Sequence, residues 1–435
     1  MSTYYIDPYD GSAENDGLSP ESAVTSPRQI SPAPGDRILL RRGTVLREPL
    51  FSPDGTPDAP IIWGAYGDLG NCLDEEEIDD EEDIDDIGMF MENRKPVVLG
   101  SLDYTDPDKW KYIGDSLWEA KDLPRDEVGN IMIDGGRRYG TLRWSTDDLC
   151  EYGDFWFSHY GVMSGGKGIP DGEEPRLIVC AADNPGTIYD SIELCVWGRR
   201  QLAHATHDVI FTDIRFMGCG VHGFAAADSE RISLIRCSFE GIGGCVWSAD
   251  RKIRFGNAVE FWRGARDIRV EDCFFRQIYD SCVTTQGAGE YPPPERISVR
   301  GNLFMKYGMA AYELRDVVPR ETVFADNECK FAGCGFAMRG DLTPRRSEIW
   351  PRPMGHHIFA WRIEKPTENG AFRIRHNNFG GAPVGCAEYS LISPEAERQL
   401  LFLGNDYATG SGERRICRND VYVTPTDDFD EQNGY

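Results

Sequence analysis

The sequence predicts an all-β chain wound as a right-handed parallel β-helix solenoid. Three observations carry this. A short apolar pattern recurs along the second half of the chain. Each copy alternates with period two, as half-buried strands do. The 47 glycines and 26 prolines in 435 residues imply many turns and few long helices.

The pattern reads apolar, x, apolar, x, x, anchor, x, aromatic. Its copies are Val209-x-Phe211-x-x-Ile214-x-Phe216, Ile232-x-Leu234-x-x-Cys237-x-Phe239, Ile268-x-Val270-x-x-Cys273-x-Phe275 and Ile297-x-Val299-x-x-Asn302-x-Phe304. Weaker copies are anchored at Asn327, Asn377 and Asn405. Successive anchors lie 23, 36, 29, 25, 50 and 28 residues apart, so a turn takes about 24 residues and the long gaps hold insertions or extra turns. Strands at this period, without helical patterning, make a stacked β-solenoid. A leucine-rich repeat is the competing repeat fold, but its leucine signature is missing. Asn at the anchor turns the chain, and stacked Asn side chains form amide ladders. Cys237, Cys273 and Asn302 should therefore share one vertical column.

Composition narrows the function classes. Asp and Glu outnumber Lys and Arg by 73 to 46, a net charge of -27. That field repels phosphate backbones and anionic membranes, so nucleic-acid and membrane partners are not expected. A polyanionic substrate is also disfavoured. No apolar run is long enough to span a membrane. The start, Met1-Ser2-Thr3-Tyr4-Tyr5-Ile6-Asp7, lacks the basic and apolar regions of a signal peptide, which gives a cytoplasmic expectation. The 13 cysteines are odd in number and mostly sit in apolar stretches. Buried reduced thiols at Cys237, Cys273 and Cys282 are expected, without disulfides. No zinc-like spacing occurs, and no metal or cofactor is expected.

The N-terminal residues resemble a known group. Tyr4-Tyr5-Ile6-Asp7, Asn15-Asp16-Gly17-Leu18-Ser19-Pro20, Pro34-Gly35-Asp36-Arg37-Ile38-Leu39-Leu40-Arg41-Arg42-Gly43-Thr44 and Pro60-Ile61-Ile62-Trp63-Gly64-Ala65-Tyr66-Gly67 resemble the opening strand and first rungs of the pectate-lyase-like β-helix superfamily. Within it, the chain resembles the β-helix glycoside hydrolases, among them xylosidases and fucosidases with an inserted β-sandwich. The resemblance covers residues 1–70 and about 200–405. It implies a cap and first rungs over 1–100, a small β-sandwich over 101–199, the main β-helix over 200–410 and a tail over 411–435. Asp74–Asp86 holds eleven acids in thirteen residues. It lacks the alternating Asp/Asn and Gly pattern of an EF-hand loop and reads as a solvated insertion.

The repeat allows columns to be compared within the one chain. Seven positions past each anchor stand Val221, Gly244, Asp280, Met309, Cys334 and Val384. Asp280 breaks an otherwise apolar or small column. A lone carboxylate there is costly unless paired or facing a cleft, although a turn Asp with local hydrogen bonds is the plain alternative. Eleven positions past stand Ala225, Ser248, Thr284, Glu313, Met338 and Glu388, and Glu260 joins them if the 36-residue gap hides an extra turn. Alternation points Glu260 and Glu313 outward. Adjacent rungs are about 4.8 Å apart, so Glu260, Asp280 and Glu313 should gather within roughly 10 Å. Glycoside hydrolysis needs two carboxyls about 5 Å apart for retention, or about 6.5–9.5 Å for inversion. The catalytic pair is expected to be Asp280 with either Glu260 or Glu313. Glu388, further along the column, is expected to be structural.

Trp262, Gln286, Tyr312, Arg315 and His222 flank these acids and suit sugar binding, which wants aromatic faces and polar groups. The resemblance adds Arg143 and Trp144, in Gly140-Thr141-Leu142-Arg143-Trp144-Ser145, as a segment reaching over the cleft. The expected function is an exo-acting glycosidase on short oligosaccharides. A polysaccharide lyase, with Arg315, Arg339 or His222 as base and neutraliser, and a carbohydrate-binding β-helix without catalysis are the rivals. Retention is slightly preferred. The sugar and the oligomeric state stay open.

Overall fold

The computed structural model describes residues 1–68, 95–287, 291–339 and 354–407, and the backbone of 416–418 and 421–423. The acidic stretch 74–86 and nearly all of the tail lie outside the described residues.

The chain is a parallel β-helix. Three long sheets of ten, nine and ten strands run along it. One full rung is Glu230–Ile235, Ser238–Ile242 and Val259–Trp262, and the next is Arg266–Glu271, Phe274–Ile278 and Ser281–Gln286. Each strand pairs in parallel with its counterpart one rung away. Inward residues of all three sheets form one core, from Ile6 and Trp63 to Phe379 and Phe402. Phe216, Phe239, Phe275 and Phe304 stack face to face through it at 4.8–5.2 Å.

The corner between the first two sheets explains the anchor. The residue before each anchor has positive φ: Asp213, Arg236, Asp272, Gly301, Asp326, His376 and Gly404 lie between 49° and 65°. Asp and Gly tolerate this region best, and it turns the strand sharply enough to start the next. The anchors then stack in one column. Cys273 N–H donates to Asn302 Oδ1 at 2.9 Å. Asn302, Asn327 and Asn377 each donate both their backbone N–H and their Nδ2 to the Oδ1 of the next Asn, ending at Asn405, at 2.9–3.0 Å. The amides are buried, and this ladder supplies their partners. Cys237, Cys273 and Cys282 are buried free thiols.

Two long gaps are insertions, not extra turns. Between Cys237 and Cys273 the chain makes one rung and adds an antiparallel hairpin, Val246–Ser248 with Ile253–Arg254. Ser248 therefore sits on the hairpin and Glu260 on the sheet. Between Asn327 and Asn377 there is again one rung. Its third strand is His356–Ile363, so the column member is Phe359 and not Met338.

Between the strands Val97–Leu99 and Gln201–His204 the chain leaves the solenoid. It forms a four-stranded sheet around Val128–Ile133 and a five-stranded sheet around Leu177–Cys180. Leu142, Phe155, Phe157, Leu177 and Leu194 form a separate core there, joined by Val246 of the hairpin.

Candidate active site

The third sheet positions the acids. Its register places Ala225, Glu260, Thr284, Glu313, Phe359 and Glu388 in one column across six rungs. A parallel column follows: Ala227, Trp262, Gln286, Arg315, Trp361 and Ser390. Both face away from the core, because Phe261, Val283, Tyr312 and Leu314 take the inward positions. Glu260 and Glu313 are two rungs apart, about 10 Å along the column. They are nevertheless covered, at 1% and 2% exposure.

Buried carboxylates need partners, and these are local. Glu260 accepts from Asn257 Nδ2 at 2.9 Å and from Gln286 Nε2 at 3.3 Å, and it lies 3.0 Å from His222 Nδ1. That nitrogen also lies 3.1 Å from Asn257 N–H, so protonation decides which contact is a hydrogen bond. Glu313 accepts from Ser281 Oγ at 3.1 Å and from the Trp361 indole N–H at 2.7 Å. Glu388 lies 3.4 Å from His356 Nε2. His222, Ser281 and His356 thus each approach a column glutamate from the rung before.

Asp280 sits at the corner leading into Ser281–Gln286. Its Oδ2 accepts from Gly256 N–H at 3.1 Å, and its own N–H donates to Gly256 O at 3.1 Å. Gly256 has φ +136° and lies so close to Gly243 that a Cβ would come 2.3 Å from the Gly243 Cα. Only glycine passes there, so the donor facing Asp280 is fixed by backbone contact.

The environments of the two glutamates diverge. Burial pushes Glu313 up to about 7; the Asp280 charge adds to this, while the Trp361 hydrogen bond and Arg315 oppose it. Burial also pushes Glu260 up, but His222, Asn257 and Arg315 outweigh it and hold the group below the ordinary value. Glu313 is therefore set to keep a proton near neutrality, and Glu260 to lose one. Two buried polar atoms beside them, Thr284 Oγ1 and Gln286 Oε1, have no hydrogen-bond partner among the described residues. Thr284 lies in the column between the two glutamates.

The other expected residues divide. His222 and Gln286 reach Glu260. Trp262 is half-buried in the outward column. Arg315 packs over the Trp361 ring at 5.0 Å and pairs with Asp316 at 3.5 Å. Tyr312 does not belong to the site: its ring is fully buried in the solenoid core and its hydroxyl meets Thr285 at 3.1 Å. Alternation from Glu313 already requires this. Arg143 pairs with buried Asp154 at 3.0 Å, and Trp144 packs edge-on against Tyr160 at 5.5 Å. Those contacts tie both residues to the inserted sheets. Arg339 donates to the Tyr139 carbonyl at 3.1 Å.

Trp361, Ser281 and Asn257 were not legible as site residues. Trp361 lies on the third strand of the Asn327 rung, after an insertion that shifts its spacing from the anchor. Ser281 and Asn257 act from a corner, where residue type alone carries no signal.

Among solved structures, the chain is similar to a GH136 lacto-N-biosidase from Eubacterium ramulus, with 12% identity, a TM-score of 0.49 and coverage of 93% of this chain and 59% of that one. It is similar to XylC in complex with xylose, with 11% identity, a TM-score of 0.47 and coverage of 93% and 62%. It is similar to a rhamnogalacturonan lyase, with 9% identity, a TM-score of 0.38 and coverage of 98% and 86%. The chain spans about three fifths of the length of the first two. No family model and no curated protein matches the sequence.

Proposed function

We propose that the chain is a glycoside hydrolase acting on oligosaccharides, with Glu313 as general acid and Asp280 as its partner. The carrying observation is Glu313, buried and bonded by Ser281 and Trp361, with its carboxyl pushed up to about 7 by burial first and by Asp280 second. A buried carboxyl raised in this way can serve as a general acid. Glu313 would give its proton to the glycosidic oxygen as the bond breaks. Asp280 would either attack the anomeric carbon or take a proton from the attacking water. Glu260, held ionised by His222, would stabilise positive charge developing on the sugar ring. The unpartnered Thr284 and Gln286 oxygens would meet sugar hydroxyls. Exo-action would fit an insert whose chain returns to the solenoid beside His222, if it closed that end of the column.

The test is a panel of aryl glycosides and oligosaccharides, followed by reducing-sugar release and by the absorbance of unsaturated uronates. Release without that absorbance supports a hydrolase. Absorbance favours the lyase reading, in which Arg315 would face the substrate acid. On a cleaved substrate, Glu313→Gln and Asp280→Asn should each lower kcat by about 10²–10⁴-fold with unchanged thermal unfolding. Proton NMR of the first-formed anomer separates Asp280 as nucleophile, with retention, from Asp280 as base, with inversion. Near-normal turnover of Asp280→Asn would transfer its role to Glu260, whose two-rung separation from Glu313 suits inversion.

A further inference from the structure

The hairpin Val246–Ser248 and Ile253–Arg254 is not part of the solenoid, yet it leads straight into the site. Gly256 and Asn257, which follow it, bond Asp280 and Glu260. The hairpin carries Trp247, which is 54% exposed. A lone exposed aromatic needs no explanation. This one is held in an unusual way. Its ring meets Phe255 edge-on at 5.4 Å, Phe255 meets His222 edge-on at 5.6 Å, and His222 lies 3.0 Å from Glu260. Trp197 also packs against Phe255, with ring centroids 5.1 Å apart. An unbroken run of rings therefore leads from solvent to the buried carboxylate.

The backbone beneath it is fastened to the insert. Buried Glu127 accepts from Val246 N–H at 2.5 Å and from Gly161 N–H at 2.7 Å. Ser164 Oγ donates to the Trp247 carbonyl at 2.6 Å. Arg254 donates to Gly244 O and Gly129 O at 2.7 and 2.8 Å. An exposed indole on so rigid a mount keeps its face free for a partner without having to be ordered on binding, and flat apolar faces receive the carbon-hydrogen faces of sugar rings.

We infer that Trp247 is a sugar-stacking platform. It receives the substrate ring lying beyond Glu260 on the side away from Glu313. This rests on the hydrolase reading above and adds a binding position to it. That position is at least two rungs from Glu313, about 10 Å. It therefore takes a ring removed from the bond being cut.

The experiment compares wild type, Trp247→Ala and Trp247→Phe on two sets of probes. One set is cello-, xylo- and chito-oligosaccharides of two to six units. The other is 4-nitrophenyl monoglycosides of the same sugars. On a cleaved trisaccharide or longer chain, Trp247→Ala should raise KM by about tenfold, the upper range of an aromatic contact. Its kcat/KM on the monoglycoside should stay within about twofold, and Trp247→Phe should restore most of the affinity. Equal losses on both sets, or none on either, would overturn the platform while leaving the hydrolase standing. A wild-type protein that cleaves and binds nothing in either set overturns the hydrolase reading and the platform together.

Discussion

Glu313 concentrates the chemistry of one residue. Its carboxyl is raised to about 7 by burial first and by Asp280 second. A general acid works only while protonated, so kcat/KM should fall as pH rises through about 7. The Trp361 indole N–H stabilises the ionised form and pulls against the shift. Trp361→Phe removes that donor and keeps an aromatic ring. The carboxyl should then hold its proton to higher pH, and the alkaline limb of the pH–rate profile should move upward. A limb that stays in place, or moves downward, would remove Glu313 from the acid role. The sequence reading located the column that holds Glu313, because a carboxylate at a strand position repeats visibly against apolar neighbours. It could not see that Tyr312 alternates into the core or that Trp361 completes the glutamate's partners. Contacts across rungs depend on register, and insertions before His356 and within the Cys237–Cys273 gap hide the register.

At the scale of an element, the hairpin and its anchor make a second case. Glu127 is raised to about 7 by burial, against two backbone N–H groups and Arg254 that lower it, with Asp126 adding to the rise. Tyr160 and Cys245 also face it. Its folded value lies above its ordinary 4.5. Folding therefore favours the protonated form. The stabilising contribution is complete below about pH 4.5 and is lost as pH rises to about 7, roughly 3 kcal/mol in all. Glu127→Gln imitates the protonated acid and cannot titrate. Urea unfolding between pH 4 and 8 should show a flatter profile for Glu127→Gln, whose deficit from the lost acceptor is greatest at pH 4 and narrows toward pH 8 as wild type loses stability. A parallel pair of curves would show that the carboxyl does not titrate in this range. Activity should fall in this variant, because one backbone N–H under the hairpin then faces an amide N–H₂ and the Gly256–Asn257 segment shifts.

For the molecule as a whole, the recurrent pattern makes the solenoid readable in the sequence. Period two, an aromatic two residues past the anchor and Asn at the corner agree with one another, and consistent local signals specify a fold. What the pattern lacked was the means to tell an insertion from a turn. A gap of 36 residues fits one rung plus a hairpin as well as a rung and a half. The Asn ladder settles such gaps physically, because it connects Asn327 to Asn377 across 50 residues of chain without a break.

The ladder also has a direction. Each Asn in it leans on the one nearer the C-terminus: Asn302 on Asn327, Asn327 on Asn377, Asn377 on Asn405. Losing the last member strips the acceptor from its predecessor, while losing the first strands none of the amides that follow. Under tension the solenoid should behave as a zipper that opens from one end. In an optical trap with handles at both termini, it should yield from the C-terminal side in discrete extensions. The 25-residue rung from Asn302 to Asn327 should lengthen the tether by about 85 Å and the 50-residue rung after it by about 170 Å. Asn405→Ala should lower the force of the earliest step and leave the later ones unchanged. A single rip of the whole solenoid, or a first step insensitive to Asn405, would show that the rungs share load equally and that the ladder's polarity has no mechanical expression.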